Sequence, residues 1–248
     1  MIYFIGAGPG APDLITVRGM HLLQHADLVI YAGSLVNPEL LSFCPPSCPC
    51  LNSAEMTLEE IISAMAVRPK TETVIRLHTG DPSLYGAVRE QMDALDELQL
   101  PYEVVPGVSS MSAAAAALRA EFTPPEISQT VIISRMAGRT AVPDAESIRS
   151  LAAHGSTMIL FLSAGMLPKL CQELIAGGYP EDTTAAVVYR ASWPDEEIIL
   201  GNLKTLPGQA AHIRRTALIL VGRFLSDFRT RSRLYDPAFS HLFREGHP

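Results

Sequence analysis

Residues that could bind a ligand are concentrated in three glycine-containing loops. The loops are Gly6–Gly10, His78–Gly86 and Pro106–Ser110, and each follows a short apolar stretch typical of a strand. Small residues let the backbone approach a flat ligand closely, and loop N–H and C=O groups can form hydrogen bonds with it. Any one of these loops could be an ordinary tight turn. Three of them at one edge favour a pocket, because ligands of open α/β sheets bind beyond the carboxyl ends of the strands.

The first loop, read together with Ala11, also fits the G-x-G-x-x-A spacing of a dinucleotide-binding motif. In such a site the helix begins at the glycines so that its free N–H groups meet the pyrophosphate, but Pro9 and Pro12 remove two of those donors. An acidic ribose ligand is expected at the end of the second strand, where the chain instead reads Tyr31-Ala-Gly-Ser34. These departures argue against a nicotinamide- or flavin-dependent oxidoreductase.

The elements that must position these loops alternate along the first half of the chain. Strands are expected at 2–5, 28–31, 74–77 and 102–105, and helices at 14–25, at 57–66, in a stretch ending near 98, and in an Ala-rich segment after Ser110. Asp13 is the expected N-cap of the first helix, and Thr57-Leu-Glu-Glu60 reads as a capping box. Such alternation predicts an α/β fold with a parallel sheet.

A double proline in Phe122-Thr-Pro-Pro-Glu126 interrupts the pattern and predicts a domain boundary. We therefore expect an N-terminal α/β domain, residues 1–124, and a C-terminal α/β domain, residues 125–248. The second half should contain strands at 129–134, 158–162, 185–189, 197–203 and 217–222, and helices at 144–153, at 167–176 and between the last two strands. This order predicts a mixed sheet. The Arg-rich tail after Phe224 could be a helix or an arm.

Composition narrows the class of protein. With 248 residues, 48% of them hydrophobic, the chain can bury a large core. A formal net charge of −7 argues against a nucleic-acid partner, which usually requires a basic face. No apolar stretch approaches the roughly 20 residues of a membrane span, and the N-terminus lacks the features of a secretory signal. We therefore expect a cytoplasmic protein without a membrane partner.

Three of the four cysteines, Cys44, Cys48 and Cys50, lie in one Pro-rich segment, and Cys171 lies in an expected helix. Their spacing matches no common zinc motif, so we expect a loop with free thiols and no metal.

The loop sequences resemble those of the tetrapyrrole methylases. The matching segments are Gly6-Ala-Gly-Pro-Gly10 with Asp13-Leu-Ile-Thr-Val-Arg-Gly19, Thr79-Gly-Asp-Pro-Ser-Leu-Tyr-Gly86, Pro106-Gly-Val-Ser-Ser110 and Thr216-Ala-Leu-Ile-Leu-Val-Gly222. Four motifs in this order, extending over most of the chain, are far more specific than any one of them. Other segments are similar to the branch of the family that methylates C-11 of precorrin-4, a corrin-ring precursor, or of its cobalt form: 31–36, 125–133, 135–140 and 189–194.

The resemblance implies two α/β domains with the methyl donor, S-adenosylmethionine, in the cleft between them, S-adenosylhomocysteine as product, a tetrapyrrole substrate and a homodimer. It further implies donor contacts at Pro9, His78, Thr79, Gly80, Asp81, Ser109, Ser110, Leu162 and Ala217. Leu162 replaces a Met of several relatives, and Thr216 replaces a Pro that often precedes the Ala. Leu162 could also be a core residue, and Ala217 a plain strand residue.

The chemistry of the expected substrate points to further residues. A precorrin carries many carboxylates, so an acidic enzyme must offer a local cationic surface. Arg135, Arg139 and Arg190 are the candidates, although exposed arginines are often merely solvated. Tyr31 and Ser34 are expected to line the same pocket.

Methyl transfer to an electron-rich ring carbon depends mainly on positioning. Asp81 is the candidate catalytic carboxylate, but it could equally fix its own loop, and His78 could likewise support the loop or make a polar contact. Two other readings stay open beside the oxidoreductase. One is a tetrapyrrole carrier that binds no donor, and the other is a sibling methylase that acts at another ring carbon or on a protein side chain.

Overall fold

The computed structural model describes residues 1–247, which form two α/β units. The first unit contains Met1–Ala114 and, from much later in the chain, Arg190–Glu196. The second contains Ala115–Tyr189 and the chain from Glu197 onward. These units assign residues 115–124 and 190–196 differently from the expected division after residue 124, which stays a prediction about independently folding domains.

The first unit is built on a five-stranded parallel sheet. Its strands are β1 (Ile2–Gly6), β2 (Leu28–Tyr31), β3 (Cys50–Asn52), β4 (Val74–His78) and β5 (Tyr102–Val105), in the order β3-β2-β4-β1-β5. The helices are α1 (Val17–Leu23), α2 (Leu58–Ala66), α3 (Arg89–Glu97) and α4 (Ser110–Leu118), with 3-10 turns at Pro12–Leu14, Pro38–Phe43 and Ser53–Glu55. All pairings are parallel, so the carboxyl ends of the strands meet at one edge.

Each face of this sheet carries its own layer of apolar side chains. Ile5 and Leu77 pack in a cluster on one face, whereas Phe4, Ile30 and Met65 pack in a cluster on the other. Neighbouring residues of a strand point to opposite faces, so a strand buried on both sides is mostly apolar. The strand β4 is buried throughout and includes two polar residues, Arg76 and His78. Burial on both faces holds the strand ends, and therefore the loops that follow them, in fixed positions.

The start of α1 differs from the prediction. Pro12–Leu14 forms a 3-10 turn and Ile15 is extended, so the helix begins afresh after Thr16. The Thr16 hydroxyl, not Asp13, caps it by accepting a hydrogen bond from the Gly19 N–H at 3.1 Å. The predicted capping box of α2 is confirmed.

The second unit contains a mixed sheet, as predicted. Its strands are β6 (Val131–Arg135), β7 (Thr157–Phe161), β8 (Thr184–Tyr189), β9 (Glu197–Asn202) and β10 (Ala217–Val221), in the order β6-β7-β10-β8-β9. Only the β6–β7 pairing is parallel. The helices are α5 (Ile148–Ala152), α6 (Leu167–Ala176) and α7 (Leu206–Gln209), with 3-10 turns at Asp144–Glu146, Ala164–Met166, Arg223–Leu225 and Arg233–Tyr235.

The expected helix at 144–153 is shorter than predicted, because Ser147 is extended and caps α5 with its hydroxyl. The described part of the Arg-rich tail forms 3-10 turns and one isolated bridge between His241 and Arg244, and it contains no α-helix. Within residues 1–247, no helix is long and apolar enough to cross a membrane.

Candidate functional site

Backbone hydrogen bonds join the first two loops at the carboxyl edge of the first unit. The Ala7 N–H donates to the His78 carbonyl at 2.7 Å. Gly8 and Gly80 exchange a pair of bonds, at 3.3 Å from the Gly8 N–H and at 2.8 Å from the Gly80 N–H. Both glycines have positive φ, +80° and +61° respectively, a conformation that glycine adopts without steric cost. The loops therefore form one continuous backbone surface.

The third loop is packed against the other two so closely that a side chain would not fit. A Cβ atom on Gly107 would lie 2.2 Å from the Gly80 carbonyl oxygen and 2.7 Å from the Gly6 Cα. A Cβ on Gly6 would lie 2.5 Å from the Gly107 Cα. These obstacles are backbone atoms, which cannot rotate away. Glycine is thus required at the point where the three predicted loops meet.

The Asp81 carboxylate links the second loop to the third. Its Oδ2 accepts a hydrogen bond from the Gly107 N–H at 2.8 Å, and its Oδ1 accepts from the Ser83 N–H at 2.8 Å and from the Ser83 hydroxyl. Partial burial alone would raise the pKa of Asp81, but the bonds from the Ser83 hydroxyl and from the two backbone N–H groups outweigh it and lower the pKa. Both oxygens of the ionised carboxylate are therefore engaged in holding the loops.

His78 contributes its backbone to the loops and its side chain to the core. The ring is buried and stacks on Phe4, with the ring centroids 6.0 Å apart. Burial, followed by the nearby positive charge of Arg76, lowers the pKa of His78 to about 3, although a backbone hydrogen bond with Gly86 acts in the opposite direction. The imidazole is consequently neutral at physiological pH.

The remaining predicted donor contacts of the first unit lie along the same edge. Pro9 is buried, Thr79, Ser109 and Ser110 are half-buried, and Ser110 begins α4. A Cβ on Gly80 would lie 3.6 Å from the Ser110 backbone nitrogen, so these two residues are direct neighbours. The Ser110 backbone nitrogen, at the start of α4, is thereby placed beside the glycine junction, whereas the Met111 and Ser112 N–H groups donate to the hydroxyl and the carbonyl of Ser109.

Three residues that the sequence analysis did not select hold the first loop from outside. The Trp193 indole N–H donates to the Pro9 carbonyl at 3.0 Å, and a Cβ on Gly10 would lie 2.1 Å from the Trp193 ring. The Ser192 hydroxyl accepts from the Ala11 N–H at 3.0 Å, and the buried Asn37 amide donates to the Gly10 carbonyl at 2.9 Å. The sequence did contain a signal for Ser192 and Trp193, because both lie in the family-like segment 189–194, from which only Arg190 was predicted to be a site residue.

Arg190 uses its side chain to support this same segment. Its Nη1 lies 2.6 Å from Asp195 Oδ2, and its guanidinium carbon lies 4.0 Å from the centre of the Trp193 ring. Both Arg190 and Ser192 have positive φ, at +45° and +69°. The guanidinium predicted to bind substrate carboxylates therefore already has an acidic and an aromatic partner.

Tyr31 and Ser34 lie at the end of β2, on the same edge of the sheet. Tyr31 is half-buried and Ser34 is exposed. The turn between them is fixed by Asn52, whose Oδ1 accepts from the Gly33 N–H at 3.1 Å. The structure thus brings Tyr31 and Ser34 to the edge that carries the three loops.

Two predicted arginines lie in the second unit and differ in their surroundings. The Arg135 guanidinium donates to the carbonyls of Met136, Thr140 and Ala141, at 3.3, 3.2 and 2.8 Å, and so closes the loop that follows β6. Arg139 is exposed on that loop.

Leu162 and Ala217 are also in the second unit, each next to an unusual backbone conformation. Leu162 follows β7 with φ of +53° and is 65% exposed, so it is not a core residue. Thr216, which precedes the half-buried Ala217 at the start of β10, has φ of +55°. Left-handed backbone at a branched residue is strained and is concentrated at functional sites in proteins. This favours a functional reading of Leu162 over a packing one.

Comparison with known proteins gives the same family as the loop motifs. Residues 1–207 match the family model described as Tetrapyrrole (Corrin/Porphyrin) Methylases. The chain is 49% identical over 250 residues to the cobalt-precorrin-4 C(11)-methyltransferase of Methanocaldococcus jannaschii, with 99% of this chain and 96% of that protein covered. It is 47% identical over 249 residues to the precorrin-4 C(11)-methyltransferase of Pseudomonas aeruginosa, with 99% of each covered.

Two solved structures support the same family. A cobalt precorrin-4 methyltransferase of cobalamin biosynthesis superposes with a TM-score of 0.89 at 47% identity, covering 91% of this chain and 96% of the other. The uroporphyrin-III C-methyl transferase of Thermus thermophilus, in complex with S-adenosylhomocysteine, superposes with a TM-score of 0.77 at 26% identity, covering 92% and 99% of the two chains.

Proposed function

This chain belongs to the tetrapyrrole (corrin/porphyrin) methylase family, and from that premise we propose that it transfers a methyl group from S-adenosylmethionine to C-11 of precorrin-4 or of cobalt-precorrin-4. The reaction belongs to cobalamin biosynthesis. The observation that carries the proposal is near-full-length identity of 47% to 49% with relatives that bear these two names. Both forms of the substrate are proposed, because the two identities are nearly equal.

The donor is proposed to bind on the joined loops of the first unit. A more distant member of the same fold is named as a complex with S-adenosylhomocysteine, which supports the choice of donor. The contact residues proposed here are Pro9, Thr79, Gly80, Ser109 and Ser110, together with the backbone of His78 and Asp81. Glycines leave the backbone N–H and C=O groups of these loops accessible, so they can form hydrogen bonds with polar atoms of a bound ligand. The contacts at Leu162 and Ala217 stay predictions.

The residues of the site act mainly by position. When bound, the donor supplies a methyl group on a positively charged sulfur, and an electron-rich ring carbon can displace it without a strong base. Alignment of two reactants can lower a barrier by several kcal/mol, on the order of 7 or more in favourable cases. Asp81 serves this alignment by holding the second loop against Gly107. We therefore propose it as a positioning residue rather than as a proton carrier.

For the carboxylates of the tetrapyrrole, Arg139 is the strongest of the three arginine candidates. Arg135 donates to three carbonyls of its own loop, and Arg190 is paired with Asp195. Arg139 is exposed, so it can pair with a substrate carboxylate without losing a partner that the structure gives it. Tyr31 and Ser34 are proposed to line the substrate side of the first-unit edge. A homodimer and a cytoplasmic location also stay predictions.

The test has two arms. Calorimetric titration with S-adenosylhomocysteine should show binding, whereas NADH should not bind. Incubation with S-adenosylmethionine and either precorrin-4 or its cobalt form should then add one methyl group, located at C-11 by carbon-13 NMR with labelled donor. Binding of NADH alone would favour an oxidoreductase. Binding of the tetrapyrrole without the donor would indicate a carrier, and methylation at another carbon would indicate a related methylase of different position specificity.

A further inference from the structure

Three of the four cysteines lie together, in a segment that the site does not use. Cys44 follows the 3-10 turn Pro38–Phe43, Cys48 lies in the Pro-rich loop, and Cys50 begins β3. Their Sγ atoms all lie within 4.8 Å of one another. All four cysteines are free thiols, and Cys171 is buried in the core of the second unit.

The spacing of the three sulfur atoms suits a single metal ion. A zinc–thiolate bond is about 2.3 Å long, and tetrahedral angles then place two bound sulfurs about 3.8 Å apart. Sulfurs that already lie within 4.8 Å of one another need to move by only about 1 Å or less to reach that separation. Rotation of the cysteine side chains can supply such a movement without a change in the backbone.

The backbone around the thiols is held in place. Pro45, Pro46 and Pro49 restrict the segment, and the Cys48 N–H donates to the Pro45 carbonyl at 2.9 Å. The Pro49 carbonyl accepts from the Val29 N–H of β2 at 3.0 Å, so the segment is anchored on the sheet. A ligand set that is fixed before binding loses little conformational entropy when it binds.

We propose that Cys44, Cys48 and Cys50 form a binding site for one thiophilic metal ion, with Zn²⁺ as the representative ion, held by three thiolates and with a fourth position for water. This differs from the prediction made from the sequence, which expected a loop without metal because the spacing Cys-x-x-x-Cys-x-Cys matches no common zinc motif. The fold, not the spacing alone, brings the sulfurs together. Binding exchanges three S–H protons for three metal–sulfur bonds and requires no oxidant.

The metal would have a structural effect on the neighbouring edge of the sheet. Cys50 and Asn52 are the first and last residues of β3, and Asn52 accepts the hydrogen bond from the Gly33 N–H that fixes the turn after β2. A Cβ on Gly33 would lie 2.1 Å from Asn52 Oδ1, so the two are in tight contact. An ion on Cys50 would therefore stabilise β3 and, through Asn52, the turn between Tyr31 and Ser34.

The experiment uses the full chain, purified under reducing conditions, stripped with a chelator and shown by thiol titration to be fully reduced. Zn²⁺ is added in competition with a chromophoric chelator. We expect one ion per chain, with affinity lowered at least about tenfold in Cys48→Ser and unchanged in the control Cys171→Ser. Equal zinc binding by the wild type and by the variant with all three cysteines replaced by serine would overturn the site, as would no binding by the wild type.

A second measurement does not depend on the folding of any variant. Co²⁺ added to the reduced wild-type protein should produce the intense near-ultraviolet absorption of thiolate-to-cobalt charge transfer, and Zn²⁺ should abolish it by displacement. The absence of that band would overturn the proposal. So would rapid formation of a disulfide among these cysteines under mild oxidation, detected by mass spectrometry, if Zn²⁺ gave no protection, since that result would assign the cluster to redox chemistry.

Discussion

The glycine loops of the first unit and the arginines predicted to bind substrate differ in what their atoms are used for. The loops meet through backbone atoms, at Gly8 with Gly80 and at Gly107 with both Gly6 and Gly80, and no side chain competes for that position. By contrast, the guanidinium groups of Arg135 and Arg190 bind partners in their own loops, the Ala141 carbonyl and the Asp195 carboxylate. Motifs that act through the backbone can therefore be located from sequence, whereas the partner of a long charged side chain cannot.

The largest expected effect comes from Gly107→Ala. The new Cβ would lie 2.2 Å from the Gly80 carbonyl oxygen, so the third loop must move. We expect a loss of about 2–4 kcal/mol in the free energy of unfolding and a loss of measurable S-adenosylhomocysteine binding, checked by thermal denaturation and calorimetry. Gly208→Ala is the matched control, because a Cβ there meets nothing within 4 Å. Normal donor binding by Gly107→Ala would show that the loop junction is not the donor site.

Asp81→Asn should come next in magnitude. The asparagine amide group would turn a donor toward either the Gly107 or the Ser83 N–H, each of which now donates to the carboxylate. We expect the Kd for S-adenosylhomocysteine to rise about 10- to 100-fold, the equivalent of losing a hydrogen bond to a charged group.

Asp93→Asn is the control for Asp81→Asn, since that exposed carboxylate pairs only with the exposed Arg89 among the ion pairs seen in residues 1–247. A large fall in kcat with an unchanged Kd for the product would assign Asp81 to the chemical step instead of to positioning.

Arg139→Ala tests the arginines predicted to bind substrate rather than the glycine loops. If Arg139 pairs with a carboxylate of the tetrapyrrole, its removal should raise the tetrapyrrole KM by roughly tenfold and leave the Kd for S-adenosylhomocysteine unchanged. Lys169 is an exposed cation on α6, so the control Lys169→Ala should change neither the tetrapyrrole KM nor the Kd for S-adenosylhomocysteine.

Arg190→Ala should instead weaken donor binding, because the Trp193 segment that holds Pro9 and Gly10 loses its support. A higher tetrapyrrole KM in Arg190→Ala alone would reverse these two assignments.

The last prediction concerns His78, whose backbone belongs to the loops and whose side chain belongs to the core. Its folded pKa of about 3 is below the ordinary value of 6.5, so the unfolded chain binds the proton more readily between these values. His78 thus contributes stability that is fully present above pH 6.5 and is lost as pH falls toward 3. We expect stability to fall by up to about 1 kcal/mol per pH unit in this window, and this slope should diminish in His78→Gln but not in the exposed control His154→Gln. Denaturant unfolding at several pH values measures it, and an unchanged slope in His78→Gln would contradict the buried neutral imidazole.

Much of the fold was predictable because local pattern determines it. The strands β2 and β5 and the helix α6 begin and end where the apolar periodicity placed them. The prediction was wrong at α1, because Pro12 favours a 3-10 turn that separates Asp13 from the helix. The strand β3 was missed, since its three residues include a cysteine and an asparagine and carry little strand signal.

The site was predictable only in part, for a different reason. Gly8, Gly80 and Asp81 lie in short motifs that follow the carboxyl ends of strands, so the sequence places them at one edge of the sheet although they contact one another across long stretches of chain. Trp193 and Asn37 contact the first loop across 184 and 27 residues of chain, and no local pattern reports such distances. The three thiols are close in sequence, but the short distances between their sulfur atoms follow from how the segment is folded and anchored on β2.

The late segment Arg190–Glu196 affects the order in which the first unit can fold during synthesis. Because it belongs to the first unit, that unit lacks a part of its own structure until the ribosome has synthesised about four-fifths of the chain. Contacts between residues so distant in sequence form slowly, since a long loop must close before they contribute any stability. During translation, therefore, the Gly6–Gly10 loop should emerge early, stay without its Trp193 hydrogen bond, and become rigid only after most of the second unit has left the ribosome.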